Sequence, residues 1–411
     1  MAKPLATLTS VALVLWLGVS PVHAQTADEL FASQTLQRLD LWLNSSDWAK
    51  LKNNFQENTY YPADLTLNGQ TVRNTGIRSR GRGSRSSTKP GLRVDFDRYA
   101  SGQTFLGLKS LVLDNLTQDA SGIHESVAAG FYARLGIPVS REIHTKLYVN
   151  GAYAGLYVIV EAVDKDLLAR VFGAIGDDTQ NDGYLFEFKY QDEWRFSNLG
   201  TSLEPYKLRF EATTHESKTD EEKYRAIERL VRLANESAAS GLPAAIGGLL
   251  DLPAFVRFVA AQNFLAETDG FLGAYGINNF YLYRLENQNV HTLIMWDADN
   301  TFYSAQLPTN DWGAGTVLME KLMSLAEYAA LYRAELERCV ELAEADNWLD
   351  TEIIRQVQRI DTAMKEDPNK PFANASYEGA AGTMLNFARA RVAFVKCELA
   401  SGAGNHSCRP Q

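Results

Sequence analysis

Residues 261–302 read AQNFLAETDGFLGAYGINNFYLYRLENQNVHTLIMWDADNTF, and this stretch decides the fold because its carboxylates fall at the ends of two apolar runs. Phe280-Tyr281-Leu282-Tyr283 and Thr292 to Trp296 each have the length and composition of a buried strand, and the polar Glu286-Asn287-Gln288-Asn289 between them predicts a hairpin turn. Asp269 precedes a Gly-rich turn; Asp297 and Asp299 follow the second strand. Carboxylates at strand ends beside an amide, here Asn278 or Asn279, suit a hard divalent cation such as Mg2+, which takes oxygen ligands and leaves room for phosphate oxygens. Asp, Asn and Gly also serve plain turns, so other segments must decide between turn chemistry and a metal–phosphate site.

Working outward, the first 24 residues have the pattern of a secretory leader: Lys3 is positive, Leu5 to Gly18 is mostly apolar, and Val22-His23-Ala24 offers small residues for cleavage after Ala24. A secreted or periplasmic product is expected. No later segment reaches the roughly 18 uninterrupted apolar residues of a spanning helix, so no transmembrane segment is expected in the mature chain. The chain carries 40 basic and 50 acidic residues, a net charge of −10 that becomes about −11 without Lys3, which argues against general nucleic-acid binding. Cys397 and Cys408 are spaced to close a short C-terminal loop by a disulfide, whereas Cys339 lies in a helical pattern as a buried thiol. None of the cysteines has zinc-ligand spacing.

The pattern divides at about residue 220. Thr35 to Asn54 looks helical or mixed, and Ala63 to Val72 predicts a hairpin turning at Asn68-Gly69. Strands are predicted at Gly76–Arg80, Leu92–Phe96, Ser110–Leu113, Ile143–Val149, Tyr153–Val160 and Tyr184–Tyr190, with one helix from Gly122 to Leu135 stopped by Gly136 and Pro138. From Glu221 onward, apolar residues recur at three- and four-residue spacing in Glu222–Ser237, Leu252–Glu267, Met319–Ala345, Thr351–Lys365 and Met384–Leu399. The expected fold class is α+β in two lobes, an N-terminal antiparallel β-rich lobe over 63–220 and a mainly helical C-terminal lobe over 221–400, with a ligand cleft between them. Residues 25–62 form a lead-in and 401–411 a tail. The segment DDTQNDG, 177–183, departs from a calcium loop, because Gln180 and Lys189 stand where ligands belong, and reads as a polar turn.

Arg73, Arg78, Arg80, Arg82, Arg85, Lys89 and Arg93 follow one another with no intervening acidic residue, a local inversion in an acidic protein. Interleaved Gly and Ser let backbone N–H groups turn toward an anion, and guanidinium forks add paired phosphate contacts; a solvated surface loop would have the same composition. Glu125 near a helix start either complements the helix dipole or orients a basic phosphate ligand, as a helix glutamate does in kinases. Glu161 ends an apolar strand whose following backbone suits a nucleobase edge. Basic Gly-rich loop, helix Glu, strand Glu, Asp, Asn and strand-end Asp follow the order of a protein kinase. The spacing differs, because Asp269 to Asn279 is ten residues where the usual catalytic loop has about five, and WDADNTF replaces Asp-Phe-Gly.

The segments GIRSRGRGSRSSTKPGLRVDFD, GLKSLVLDN, HESVAAGFYARLGIP, LYVNGAYAGLYVIVEAVDKDLL, GYLFEFKY, NNFYLYR and MWDADNTF resemble the CotH kinase family, in the family's order. The resemblance implies an atypical kinase-like fold that binds ATP with Mg2+ or Mn2+ and phosphorylates proteins. It implies that Asp269 is the catalytic aspartate, that Asn279 and Asp297, with Asp299 as a second ligand, hold the metal, and that Arg80, Lys89, Arg93 and Glu125 serve the nucleotide; Arg78 of the basic run and Glu161 at its strand end are counted with them. Arg93 stands where several relatives have Lys, which makes Lys89 the more attractive phosphate partner, since an ammonium and a guanidinium fork differ in geometry. The expected function is phosphorylation of Ser or Thr on an extracytoplasmic protein substrate. A coat or surface protein that uses the fold to bind a partner through exposed aromatics such as Trp194, Trp312 or Trp348, and a nucleotidyl transferase, are the alternatives.

Overall fold

The computed structural model describes residues 25–173, 180–310, 316–401 and 408. The leader, Asp177 to Thr179 of the polar turn and Trp312 lie outside the described residues. The first part contains α1 (Ala27–Ala32), β1 (Gln37–Leu43), α2 (Ser45–Asn53), β2 (Tyr61–Leu67), β3 (Gln70–Arg80), β4 (Gly91–Asp95), β5 (Ser110–Asp114), α3 (His124–Arg134), β6 (Glu142–Val149), β7 (Ala152–Glu161) and α4 (Lys165–Phe172). Then come β8 (Tyr184–Phe188), α5 (Glu204–Lys207), β9 (Phe210–Ala212), α6 (Asp220–Glu236), α7 (Leu242–Ile246), α8 (Leu252–Phe264), β10 (Phe280–Arg284) and β11 (His291–Met295). Four helices finish the chain: α9 (Val317–Met323), α10 (Ala326–Glu344), α11 (Trp348–Glu366) and α12 (Asn374–Ser401).

Asn68 and Gly69 both adopt positive φ, 51° and 86°, as a two-residue hairpin turn requires, so β2 and β3 pair as the sequence predicts. The β-rich part is a closed barrel in the order β1-β2-β3-β4-β5-β7-β6. Its closure corrects two expectations. QRLDLWL is strand β1, so the barrel begins before residue 63 and the stretch read as helical or mixed is a strand followed by α2; the strand's alternating buried and exposed residues have the strand period. That strand runs parallel to β6, so the barrel is not wholly antiparallel.

Alternation also explains why the central strands are apolar on both faces. Leu111 and Leu113 of β5, with Tyr157 and Ile159 of β7, fill the barrel, while Val112, Leu156, Val158 and Val160 face the helical core. A second sheet, β11-β10-β8-β9, joins β8 to the hairpin by antiparallel pairing and so spans the composition change at residue 220. The helix expected over Met319–Ala345 is two, because Leu325 turns extended between α9 and α10, and the one expected to reach Glu267 stops at Phe264 before Ala266 enters the left-handed region at φ 52°. Cys397 and Cys408 are bonded and Cys339 is a buried free thiol. Trp194 is buried, and Trp348 packs against the helical core. No described helix is long and apolar enough to cross a membrane.

One buried ion pair ties the C-terminal end of α11 to the barrel. Lys89 Nζ lies 2.7 Å from Asp367 Oδ2, with side chains 1% and 0% exposed. Asp367 also accepts from Leu156 N–H at 2.9 Å and Asn369 N–H at 2.8 Å. Gly155, at φ +136°, makes room: a Cβ there would come within 2.6 Å of the Asp367 carboxylate. Burial lowers the Lys89 pKa from the usual lysine value, and the Asp367 charge opposes that shift. Removing one partner of a buried pair strands the other. Lys89→Met is expected to lower unfolding free energy by about 3–5 kcal/mol, read from urea denaturation; a loss below about 1 kcal/mol, the range of an exposed pair, would remove this role.

Candidate active site

The β10–β11 hairpin carries the acidic wall of a cleft. Asp269 Oδ2 accepts from the side-chain amides of Asn278 and Asn279, each at 3.1 Å, immediately before β10 begins. Past the end of β11, Asp297 is at φ 57°, and Asn279 at φ 56°. Asn and Asp tolerate this left-handed region better than most residues, yet it still strains the backbone, and such residues concentrate at functional sites. The two acidic loops are laced together: Phe302 N–H donates to Leu265 O at 2.7 Å and Thr268 N–H to Asn300 O at 3.3 Å. Glu267 Oε1 accepts from Asp269 N–H at 2.7 Å.

Helix α3 enters the same wall. Asp119 accepts from His124 N–H and Ser121 N–H, each at 2.8 Å, and thus secures the helix start, while His124 Nδ1 lies 2.8 Å from Asp299 O. This places Glu125 on the cleft. The opposite wall comes from β3, β4 and the loop between them. Arg80 sits 3.5 Å from Asp114 Oδ2 and 5.5 Å from the Trp296 ring centre; Arg93 donates to Ser110 Oγ at 3.1 Å. Arg85 is occupied in holding its own loop, donating to Gly81 O at 2.7 Å and Phe55 O at 2.8 Å.

The cleft measures about 450 Å³, and Arg78, Arg80, Arg93, Glu125, Asp269, Asn279, Asp297 and Asp299 all line it. Lys89 and Glu161 are not brought there, which corrects the expectation for both. Lys89 turns to Asp367. Glu161 shares its strand face with Tyr157 and Ile159, away from the cleft, and accepts from Arg141 at 2.7 Å and Arg170 at 3.0 Å; the backbone after it, at Ala162 and Val163, does line the cleft. Asp114, Asp119, His124 and Glu267 were missed. Asp114 carries the same signature as Asp297, a carboxylate closing an apolar strand; His124 and Glu267 act through contacts that no local pattern encodes.

Burial and mutual repulsion push the carboxyl groups here above their ordinary range. Asp299 rises to about 9, through burial and then the charges of Asp297 and Asp114. Glu267 rises to about 8, from burial with Asp269 and Asp297 nearby, and Glu142, behind Glu125, to about 8, chiefly from burial. Glu125 and Asp297 rise as well, burial first and neighbouring carboxylates second. Burial raises Asp269, and its bonds from Asn278 and Asn279 oppose the rise.

Among the described residues no three His, Cys, Asp or Glu side chains are set closely enough to form a complete metal site. Asp297, Asp299 and Asn279 all line the cleft and offer oxygen donors of the kind Mg2+ would take, since that ion commonly needs one or two carboxylates and completes its shell with phosphate oxygens and water. Concentrated negative charge is what a cation would relieve. Carboxyls whose folded pKa exceeds the unfolded value add stability below the unfolded pKa, near 4, and lose it as pH rises through about 8 to 9. Millimolar Mg2+ or Mn2+ is therefore expected to raise the melting temperature by several degrees at pH 8 and by much less at pH 5. Calcium-free thermal scans check this; equal shifts at both pH values would remove these carboxylates as the cation's ligands.

The family model described as CotH kinase protein matches residues 77–395, and the chain belongs to that family. It is 22% identical over 337 residues to the inner spore coat protein H of Bacillus subtilis (strain 168), covering 80% of this chain and 88% of the relative. Among solved structures, the crystal structure of a Helicobacter pylori proinflammatory kinase, CtkA, aligns over 76% of this chain and 94% of its own, with 13% identity and a TM-score of 0.30.

Proposed function

We propose that this protein is an exported ATP- and Mg2+-dependent protein kinase that transfers the γ-phosphoryl group to Ser or Thr of an extracytoplasmic protein. The observation that carries the reading is the convergence in one cleft of an amide-held Asp269, the Asp297–Asp299 pair and arginines from the facing barrel wall. Family membership supports phosphotransfer. Export is supported by the leader-like first 24 residues and by the Cys397–Cys408 disulfide, since such bonds persist in oxidising compartments.

In this reading Asp297, Asp299 and Asn279 hold the cation, which neutralises phosphate charge when bound. Arg80 and Arg93 hold the nucleotide phosphates from the barrel side, so that the γ-phosphorus faces the acceptor in line. The acceptor oxygen bonds to that phosphorus, the bond to the bridging oxygen breaks and ADP leaves, and Asp269 receives the hydroxyl proton. Asn278 and Asn279 fix the Asp269 carboxylate in the orientation this needs. Ala162 and Val163 offer backbone at the position suited to the base.

Asp269→Asn is expected to leave ATP and Mg2+ affinity within about twofold while lowering transfer about 10²- to 10⁴-fold, the range for a positioned acid–base group. Calorimetry and transfer of label from γ-labelled ATP give the two readouts; parental turnover would make Asp269 a loop residue. Label transferred from α-labelled ATP would point instead to nucleotidyl transfer, and no transfer from either to a binding role.

A further inference from the structure

We infer that Arg391, in the last helix and remote in sequence from every residue of the cleft, is the positioning residue that sets the catalytic loop and the metal loop relative to each other. This rests on the functional reading above. Arg391 is completely buried. Its guanidinium bonds to four backbone carbonyls: Nε donates to Phe264 O at 2.9 Å, Nη1 to Ala305 O at 3.0 Å and to Leu307 O, and Nη2 to Asn263 O. Asn263 and Phe264 are the last residues of α8, and the chain then runs directly to Asp269. Ala305 and Leu307 follow the metal loop that starts at Asp297.

The chemistry of these acceptors makes the arrangement informative. The last carbonyls of a helix have no partners within the helix, and its C-terminal dipole favours a cation, so Arg391 caps α8 from another element. The same planar fork reaches the second segment, which a lysine ammonium cannot match. Glu398, farther along α12, accepts from Thr309 N–H at 2.8 Å and Thr309 Oγ1 at 2.7 Å, extending the grip on that segment. Between the gripped points lie non-glycine residues at positive φ, Ala266 at 52°, Asp297 at 57° and Phe302 at 61°. Strained backbone persists only where its surroundings over-determine it. Arg391 supplies part of that constraint without touching substrate.

The test uses the full chain with Arg391→Lys, which keeps the charge and loses the fork. Amide exchange is expected to quicken in 265–269 and 297–307 but not in the barrel strands, and kcat to fall about 10²-fold, the cost of an ångström-scale misplacement, with KM for ATP within about threefold. Met384→Ala, a buried apolar change on the same helix, controls for lost stability and should leave exchange in both loops and kcat near parental values. Unchanged exchange in the two loops of Arg391→Lys, or equal losses in Met384→Ala, would overturn the inference. If the parent transfers no phosphoryl group, the proposed function falls, and the exchange comparison alone still decides whether Arg391 sets the loops.

Discussion

Keeping several carboxylates close together in a partly buried cleft is the constraint on which the rest of this structure depends. Asp297 and Asp299 repel each other, Asp114 and Glu125 add to the field, and burial disfavours every charge. Such a site does not form from local preference. It needs a rigid frame whose own bonds outweigh the repulsion, and it favours whatever positive charge can enter. Arginines on the barrel wall answer part of the field, as the 3.5 Å approach of Arg80 to Asp114 illustrates, and the remainder suits a cation carrying phosphate.

The frame has three parts, each performing a different task. The β10–β11 hairpin brings Asn279 and Asp297 to the same end of a sheet, and pairing with β8 fixes that sheet to the chain from the barrel side. Hydrogen bonds between residues 265–268 and 300–302 hold the acidic loops to each other. The Lys89–Asp367 pair, seated over Gly155, docks the end of α11 on β7. This last contact gives a physical reason for the motif Asn150-Gly151-Ala152-Tyr153-Ala154-Gly155-Leu156-Tyr157: Tyr153 OH reaches Ala363 O at 2.9 Å, Leu156 N–H reaches Asp367, and Tyr157 OH reaches Pro90 O at 3.1 Å. In this family-resembling segment, Tyr153 and Leu156 serve the union of barrel and helices, and Tyr157 the barrel itself.

That division bears on how kinase-like chemistry is distributed in this chain. The basic run from Arg73 to Arg93 is continuous in sequence, but its members part in space: Arg78, Arg80, Arg82, Arg85 and Arg93 line the cleft, Arg85 while also binding loop carbonyls, and Lys89 is buried elsewhere. Arginine thus supplies the cleft's cationic wall on β3 and β4. Its fixed fork suits two phosphate oxygens at once.

Much of this was legible in the sequence because it depends on neighbours along the chain. Short apolar runs bounded by turn residues marked most of the strands, Asn68-Gly69 the turn, and three- and four-residue spacing the helices. Carboxylates after apolar runs marked Asp269, Asp297 and Asp299, and cysteine spacing marked the C-terminal disulfide. Distant pairings were not legible. The parallel register of β1 with β6 closes the barrel; Glu161 goes to an internal ion pair because of its strand face, and Lys89, in the loop before β4, because the end of α11 docks over it. Arg391 had no local signal at all, since its partners are backbone carbonyls that every residue possesses. By itself the sequence determined most of the elements and which chemical groups end them; only the tertiary structure decided which groups meet, because side-chain direction across a closed barrel and a packed helix is set by contacts far apart in the chain.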